Sequence, residues 1–346
     1  MQQKINLLDL FSGIGGFHKG LEQAGFEIGW NGFSDIDKYA NAVYQYQYKE
    51  AISLGSVTDI QGKNLPRVDA ITFGSPCQDF SVAGRRSGLE GNRSSLISEA
   101  IRLIDECQPR FFIWENVKGT FSSNNGEDFW AIIQAFTNIG SYRLEWQLLN
   151  TRWFLPQNRE RLYLVGCLGK GSGRSIFPFK KTSSKYNKRL KKVGNIDTKG
   201  HNSIWGRVYS SDGISTTLNS EGGGLGAKTG LYKVHTTQPR SGNPEKGGTG
   251  PLSRNDGNTY CLDTGNSQAV ELNHKIRRLT PIECCRLQGF PDDWNEKGII
   301  DGEIIKISDT QRYKQCGNAV TVNVVQAVGE KIYAQKTKPK NPRKEP

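Results

Sequence analysis

The chain has 346 residues, 35% of them apolar and 23% charged, with a formal net charge of +12. That length holds one large domain or two of ordinary size, and no run of about 18 apolar residues is present to span a membrane. Seven cysteines without a C-x-x-C pair, and only four histidines, argue against a zinc site and for a reduced, cytoplasmic compartment. The start of the chain runs straight into the apolar stretch 5–10, read as a strand buried on both faces, so no signal peptide is expected. The Gly-rich turn Phe11-Ser12-Gly13-Ile14-Gly15-Gly16 follows. A helix is predicted over 17–24, with small or apolar residues at 17, 20, 21 and 24, and Gly25 stops it. Residues 27–34 form a second predicted strand, ending at Asp35, and 68–73 a third, ending at Gly74-Ser75-Pro76-Cys77-Gln78. Residues 94–107 read as a helix with Leu96, Ile97, Ala100, Ile101, Leu103 and Ile104 on one face. A fourth strand, 111–114, ends in Glu115-Asn116, and 143–150 with 161–167 look like a late antiparallel pair. Strands alternating with helices predict an α/β fold, a doubly wound, mostly parallel, Rossmann-like sheet.

The composition changes near Gly169. Residues 170–200 hold ten Lys or Arg against one acid, Asp197, and residues 200–257 hold thirteen glycines, well above the roughly 7% average. Short runs at 207–209, 214–218 and 231–234 suggest small strands in an irregular, β-rich second domain. Order returns at 276. Thr280 reads as a helix N-cap, with Pro281 in the first turn, Glu283 completing the cap and Gly289 ending the helix. Residues 320–334 read as a long apolar helix returning to the first domain, and the basic, Pro-rich tail 336–346 is expected to be disordered. The boundaries are thus 1–168, 169–275, 276–335 and 336–346.

Four groups of residues can carry chemistry, because strand ends line the ligand crevice of a parallel sheet. The glycine turn lets backbone approach a ligand, and Asp35, 22 positions past Gly13, stands near the roughly 20 expected of a ribose-binding carboxylate. The G-x-G-x-x-G spacing is missing, which favours a nucleoside cofactor without a pyrophosphate over a nicotinamide dinucleotide. Cys77 is either a nucleophile or a buried structural thiol. Arg85, Arg86 and Arg93 would favour its thiolate, while no histidine is placed as its base, which excludes a papain-like protease. Cys107, Cys167, Cys284 and Cys285 are expected in the core. Glu115 is either a proton donor at a strand end or a helix cap. Arg159 and Arg161, in Gln157-Asn158-Arg159-Glu160-Arg161, either bind an oxyanion or base carbonyl or form a surface ion cluster.

Together, in this order, these segments resemble the DNA (cytosine-5) methyltransferases of small bacterial or phage restriction-modification type. Asp9-Leu10-Phe11-Ser12-Gly13-Ile14-Gly15-Gly16-Phe17 resembles the family's cofactor motif, Gly74-Ser75-Pro76-Cys77-Gln78-Asp79-Phe80-Ser81 its nucleophile motif and Glu115-Asn116-Val117 its acid motif. The arginine motif, the stretch Arg278-Leu279-Thr280-Pro281 through Gly289-Phe290-Pro291, and Gly317-Asn318-Ala319-Val320 match as well. The resemblance implies an S-adenosylmethionine-dependent enzyme on duplex DNA, a monomer with room for a cognate restriction endonuclease. Cys77 would add to cytosine C6, Glu115 would hydrogen-bond or protonate N3, and Arg161, with Arg159 beside it, would hold O2. Phe11, Gly13, Gly15, Asp35, Ile36, Ser56, Val57, Asn318 and Ala319 would bind the cofactor. The adenine N6 contact falls to Ser56 or Asp59, since Gly55 is followed by serine. The target base must leave the duplex stack, with the loop 81–93 as a lid. Residues 169–275 would be the target-recognition domain, with Gln78, Ser81, Arg207 and Glu221 on DNA, and the stretch 235–272 has no counterpart in the family pattern. Two other readings stay open: a tRNA cytosine-5 methyltransferase using the same motifs, and a catalytically inactive DNA-binding module.

Overall fold

The computed structural model describes residues 3–75, 96–169, 174–179, Thr259 and 279–335 with their side chains, and the backbone of six further strands between 192 and 278. The first strands and helices are β1 (Gln3–Leu10), α1 (Gly16–Gln23), β2 (Phe26–Ser34), α2 (Lys38–Gln47), β3 (Ile52–Ser53), β4 (Ala70–Phe73), α3 (Leu96–Cys107), β5 (Phe111–Val117), α4 (Glu127–Asn138), β6 (Tyr142–Asn150) and β7 (Glu160–Leu168), of which α2, α4 and the short, exposed β3 are additions to the expected elements. The seven strands form one sheet in the order β3-β2-β1-β4-β5-β7-β6. All neighbours are parallel except β7, which runs antiparallel to both β5 and β6. The strand order reverses between β1 and β4, which opens a crevice at their carboxyl ends.

Alternate residues of each strand feed opposite faces. Leu8, Leu10, Ile71, Phe73, Phe112 and Trp114 pack under α3 and α4 through Ile97, Leu103, Phe129 and Phe136. Ile5, Leu7, Ala70, Phe111 and Ile113 pack on the other face with Phe17 and Leu21 of α1. Residues 174–179 lie past the expected boundary at 168 yet join this second layer: Ile176 and Phe177 are buried in it. Their amides donate to Glu145 on β6, at 2.9 and 3.2 Å, so this short segment is packed on the seven-stranded sheet.

The backbone strands between 192 and 278 are β8 (Lys192–Asn195), β9 (Arg207–Tyr209), β10 (Lys233–Thr236), β11 (Ser253–Arg254), β12 (Gln268–Leu272) and β13 (Lys275–Arg278). β8 pairs with β9, and an antiparallel sheet runs β11-β10-β12-β13. The stretch 235–272 therefore contributes strands of its own. The expected strand at 214–218, the lid at 81–93 and the tail lie outside the described residues.

The return segment comprises α5 (Pro281–Gln288), a hairpin of β14 (Lys297–Ile300) and β15 (Glu303–Lys306), α6 (Asp309–Asn318) and α7 (Val322–Ala334). α5 starts with a complete capping box between Thr280 and Glu283 and ends on left-handed Gly289, as the sequence indicates. α7 starts two residues later than expected, because Thr321 stays extended as its N-cap. This helix lies on α1 at glycine distance, since a Cβ on Gly20 would stand 2.5 Å from that of Val325, and a Cβ on Gly16 would stand 2.6 Å from Val320, just before the helix. The final elements thus close against the first.

Candidate active site

Because β7 is antiparallel, its first residues lie at the same edge of the sheet as the last residues of β1 to β5. Val117 pairs with Arg161 and Glu115 with Tyr163. The fourth strand therefore does not stop at Trp114, and Glu115 and Asn116 sit inside the ladder. A cavity of about 520 Å³ opens along this edge, within the range of small-ligand sites. It runs from Phe11, Gly13, Asp35, Ile36, Ser56, Val57 and Asn318 at one end to Glu115, Arg159 and Arg161 at the other.

The first end is shaped by backbone. Phe11, Gly13 and Gly15 all have positive φ, and a Cβ at Gly13 would meet nothing. The turn is pinned from three sides. The Ser12 amide donates to Ser34 O at 3.1 Å, the Gly13 amide to the Asp35 carboxylate at 2.9 Å, and Trp294 Nε1 to Ile14 O at 2.8 Å. The other Asp35 oxygen accepts from the Asp37 amide. Burial raises the Asp35 pKa, and the backbone amides of Asp37, Gly13 and Ile36 oppose that rise. Ile36 is 86% exposed at the rim. A large apolar side chain held out over a cavity is one that a flat apolar group could cover. Ser34 Oγ donates to Gly55 O, fixing the loop that presents Ser56. Ser56 lines the cavity, whereas Asp59, the other candidate for the adenine, is exposed and outside it.

Two expected cofactor residues do not line the cavity. Gly15 is the left-handed residue before α1, with no room for a Cβ against Tyr48. Ala319 is buried and gives its carbonyl to Arg159. α6 adds Lys314 and Gln315 to the cavity wall, and no motif in the sequence marks either. Lys314 Nζ pairs with Asp37 at 2.6 Å, and Gln315 Nε2 donates to Tyr39 O at 3.0 Å.

Charged side chains make the other end. Glu115 Oε1 lies 3.3 Å from Arg161 Nε and 3.8 Å from Arg159 Nη2, and among the described residues it is buried without a hydrogen-bond donor. Arg159 is 4% exposed and donates to Gly317 O and Ala319 O. Arg161 is the more open of the two, with Nη1 on its neighbour's carbonyl. Gly74 and Ser75 line the same cavity. Asn116 Nδ2 holds the carbonyl and hydroxyl of Ser75, both at 3.2 Å, and Trp114 Nε1 donates to that hydroxyl. These bonds brace the turn two residues before Cys77. Cys77, Gln78, Ser81 and Glu221 lie outside the described residues, and Arg207 falls in β9, where only backbone is described.

Beneath the glycine turn lies a buried polar network. Asp9, fully buried, accepts from Thr72 at 2.8 Å and from the Tyr44 hydroxyl at 3.3 Å. Burial pushes its carboxyl up to about 8, against the hydrogen bonds from Thr72 and Tyr44. Asn31 links Tyr44 to His18, whose pKa burial lowers. Among the expected core thiols, Cys284 and Cys285 are buried, while Cys107 and Cys167 are half-buried and raised by burial to about 11. Among the described residues no cluster of His, Cys, Asp and Glu forms a metal site, and no helix is long and apolar enough to cross a membrane.

A doubly wound sheet with one antiparallel strand thus carries, at its strand ends, a cavity that joins the glycine turn to a carboxylate between two guanidiniums, a site of the α/β enzyme class. The profile of the C-5 cytosine-specific DNA methylases matches residues 5–334. The chain belongs to that family and is a DNA cytosine methyltransferase, with S-adenosylmethionine implied as its methyl donor. An orphan methyltransferase of Bacillus phage SPR, M.SPRI, is 31% identical, covering 95% of this chain and 97% of its own length. The type II methyltransferase M.Bsp6I of Bacillus sp. strain RFL6 is also 31% identical, over 95% and 98%. Among solved structures, Dnmt2 methyltransferase of S. pombe superposes with a TM-score of 0.65 at 19% identity, over 96% and 99% of the two chains. At that identity the likeness concerns the fold.

Proposed function

We propose that this enzyme methylates C5 of a cytosine flipped out of a specific duplex DNA sequence, through a covalent bond between Cys77 and C6. The observation that carries the reading is the shared cavity. Residues suited to a nucleoside cofactor, the Glu115–Arg161 pair and the turn leading to Cys77 all open onto it.

In this reading the Cys77 thiolate adds to C6. Glu115 hydrogen-bonds or protonates N3, so the charge pushed into the ring is neutralised where it develops. Arg161 holds O2, and buried Arg159 positions Glu115 from behind. Asp35 takes the ribose hydroxyls, Ile36 and Val57 cover the adenine, Ser56 meets its amino edge, and Asn318 closes the far wall. Bound there, S-adenosylmethionine supplies an electrophilic methyl group for C5. Loss of the C5 proton then expels Cys77. Flipping costs a few kcal/mol, repaid by these base contacts and a closed loop over 81–93. The enzyme acts as a monomer in the cytoplasm. Residues 169–275 read the sequence, with Gln78, Ser81, Arg207 and Glu221 at the DNA, and the basic stretch 170–200 holds phosphates.

Transfer of labelled methyl groups to duplex DNA but not to tRNA is expected, and the reverse preference would overturn the DNA reading. Cys77→Ser should abolish turnover while leaving duplex binding, and a 5-fluorocytosine duplex should trap only the wild type. Neutralising Lys188, Arg189, Lys191 and Lys192 should weaken binding to all duplexes alike. It should also flatten the salt slope by about 0.9 for every phosphate that the variant no longer neutralises.

A further inference from the structure

Gln157, at the head of the arginine motif, is completely buried, and the chemistry above gives it no task. Its side-chain amide donates to Leu287 O at 2.7 Å and meets Gln288 Oε1 at 3.3 Å. Gln288 in turn donates to Cys316 O at 2.7 Å and accepts from Thr321 Oγ1 at 2.9 Å. Thr321 is paired with Thr151, which stands at the end of β6. Cys316 and Thr321 bracket the stretch whose carbonyls, at 317 and 319, hold Arg159.

The backbone around Gln157 is engaged on its other side by Thr259. This residue lies far along the chain, between β11 and β12. The Thr259 amide donates to Pro156 O at 2.9 Å, and its carbonyl accepts from the Asn158 amide at 3.0 Å. The two residues form a parallel bridge. Thr259 Oγ1 is 3.4 Å from Pro156 O, so the backbone bonds dominate. Three segments meet at this point: the strand that delivers Arg159 and Arg161, the return segment, and the stretch proposed to read DNA.

Resting on the reading under Proposed function, we propose that Gln157 is a positioning residue. Its buried amide and its bridge to Thr259 key the recognition stretch into the turn before β7, so Arg159 and Arg161 are aligned on Glu115 only when that stretch is seated. Unseated, the turn has no fixed register, and the guanidiniums that must meet O2 and Glu115 drift. Misplacement of about an ångström at such a site costs roughly a hundredfold in rate. Neither Gln157 nor Thr259 is itself proposed to touch DNA or the cofactor, so affinity and catalysis should separate.

The test uses the full-length enzyme. Gln157→Leu removes the amide at similar volume. Thr259→Pro removes the N–H that bonds Pro156 while leaving Gln157 intact, and Thr259→Ala, which keeps both backbone bonds, is the control. Melting curves establish that each is folded. Calorimetry gives cofactor affinity, duplex titration gives Kd, and stopped-time trapping on a 5-fluorocytosine duplex at saturating DNA gives the rate of covalent addition. Gln157→Leu and Thr259→Pro are expected to slow trapping and kcat together by about tenfold to a hundredfold. Cofactor and duplex affinities should stay within about threefold, and Thr259→Ala should resemble wild type. If Thr259→Pro is folded and traps at the wild-type rate, or if the loss lies wholly in duplex Kd, the coupling is wrong. Wild type failing to trap would instead condemn the covalent reading itself, which separates the two failures.

Discussion

At the ends of β1, β2 and β3 the cavity wall is backbone: left-handed turns, amides on Asp35, a carbonyl on Trp294. At the ends of β5 and β7 it is side chain: Glu115 between Arg159 and Arg161. The first end relies on local turns that glycine makes accessible. The second relies on a register between strands far apart in the chain, set by the antiparallel insertion of β7. A backbone wall offers shape and fixed dipoles to a ligand that binds and leaves unchanged in outline. A side-chain wall offers charge where a reacting ring needs it. The two ends should therefore fail differently when disturbed, one in affinity and the other in rate.

The largest expected effect tests the reacting end. Glu115→Gln keeps the shape and removes the acid, and should lower kcat by about 10²–10⁴-fold, the usual range for a general acid or base. Cofactor affinity, read by calorimetry, should hardly move. Equal losses in both would break the division between the two ends.

The next lies under the backbone end. In the folded chain Asp9 keeps its proton up to about 8, against 3.8 ordinarily. Between those values the folded state binds one proton more than the unfolded. Stability from this group is therefore full at low pH and falls by about 1.4 kcal/mol per pH unit as pH rises through that window. Asp9→Asn, a neutral mimic, should lack the decline, so the gap between the two denaturation midpoints should widen steadily from pH 5 to 8. His18 works on the acid side: its lowered pKa makes stability fall as pH drops below about 6.5 in both proteins, and it cancels in the comparison. A constant gap would mean that Asp9 is ionised where it lies.

Asp35→Ala should raise the cofactor Kd by about tenfold or more, the loss of one charge-assisted hydrogen bond of about 1.5–3 kcal/mol. Turnover at saturating cofactor should persist. Unchanged affinity would remove Asp35 from the ribose. The smallest effect belongs to Lys314, whose pairing with Asp37 is nearly half exposed. Pairs of that kind contribute about 0.2–1 kcal/mol to stability, so Lys314→Gln should lower the unfolding free energy, read by denaturant titration, by no more than about 1 kcal/mol, and less in high salt.

The same contrast governs what the residues disclose before folding. The glycine turn, Asp35 and the Thr280 capping box are local, and each was legible at its own position. The extension of β5 through Val117 was not, because β7 imposes it from some 45 residues away. α6 shows no helical period in the sequence, since its buried face carries Arg312, Gln315 and Cys316, and Lys314 is hidden with it. The Asp301-Gly302 turn between β14 and β15, with positive φ at both residues, is an ordinary hairpin signal and could have been read. The order of motifs carries the family, while the contrast between Arg159, held as a buried strut, and the more open Arg161, proposed to meet the base, depends on the carbonyls of Gly317 and Ala319.

The cavity is walled by Phe11 and Asn318, 307 residues apart. At about 5–20 residues per second of synthesis, roughly 15–60 s pass between their appearances on the ribosome. During that interval α1 exposes the glycine groove that α7 will fill, and Arg159 has no carbonyls to hold it. The cavity wall is therefore complete only once α6 has emerged, and the groove on α1 is filled only by α7, so the first and last residues of the catalytic body are synthesised as separate halves of one wall.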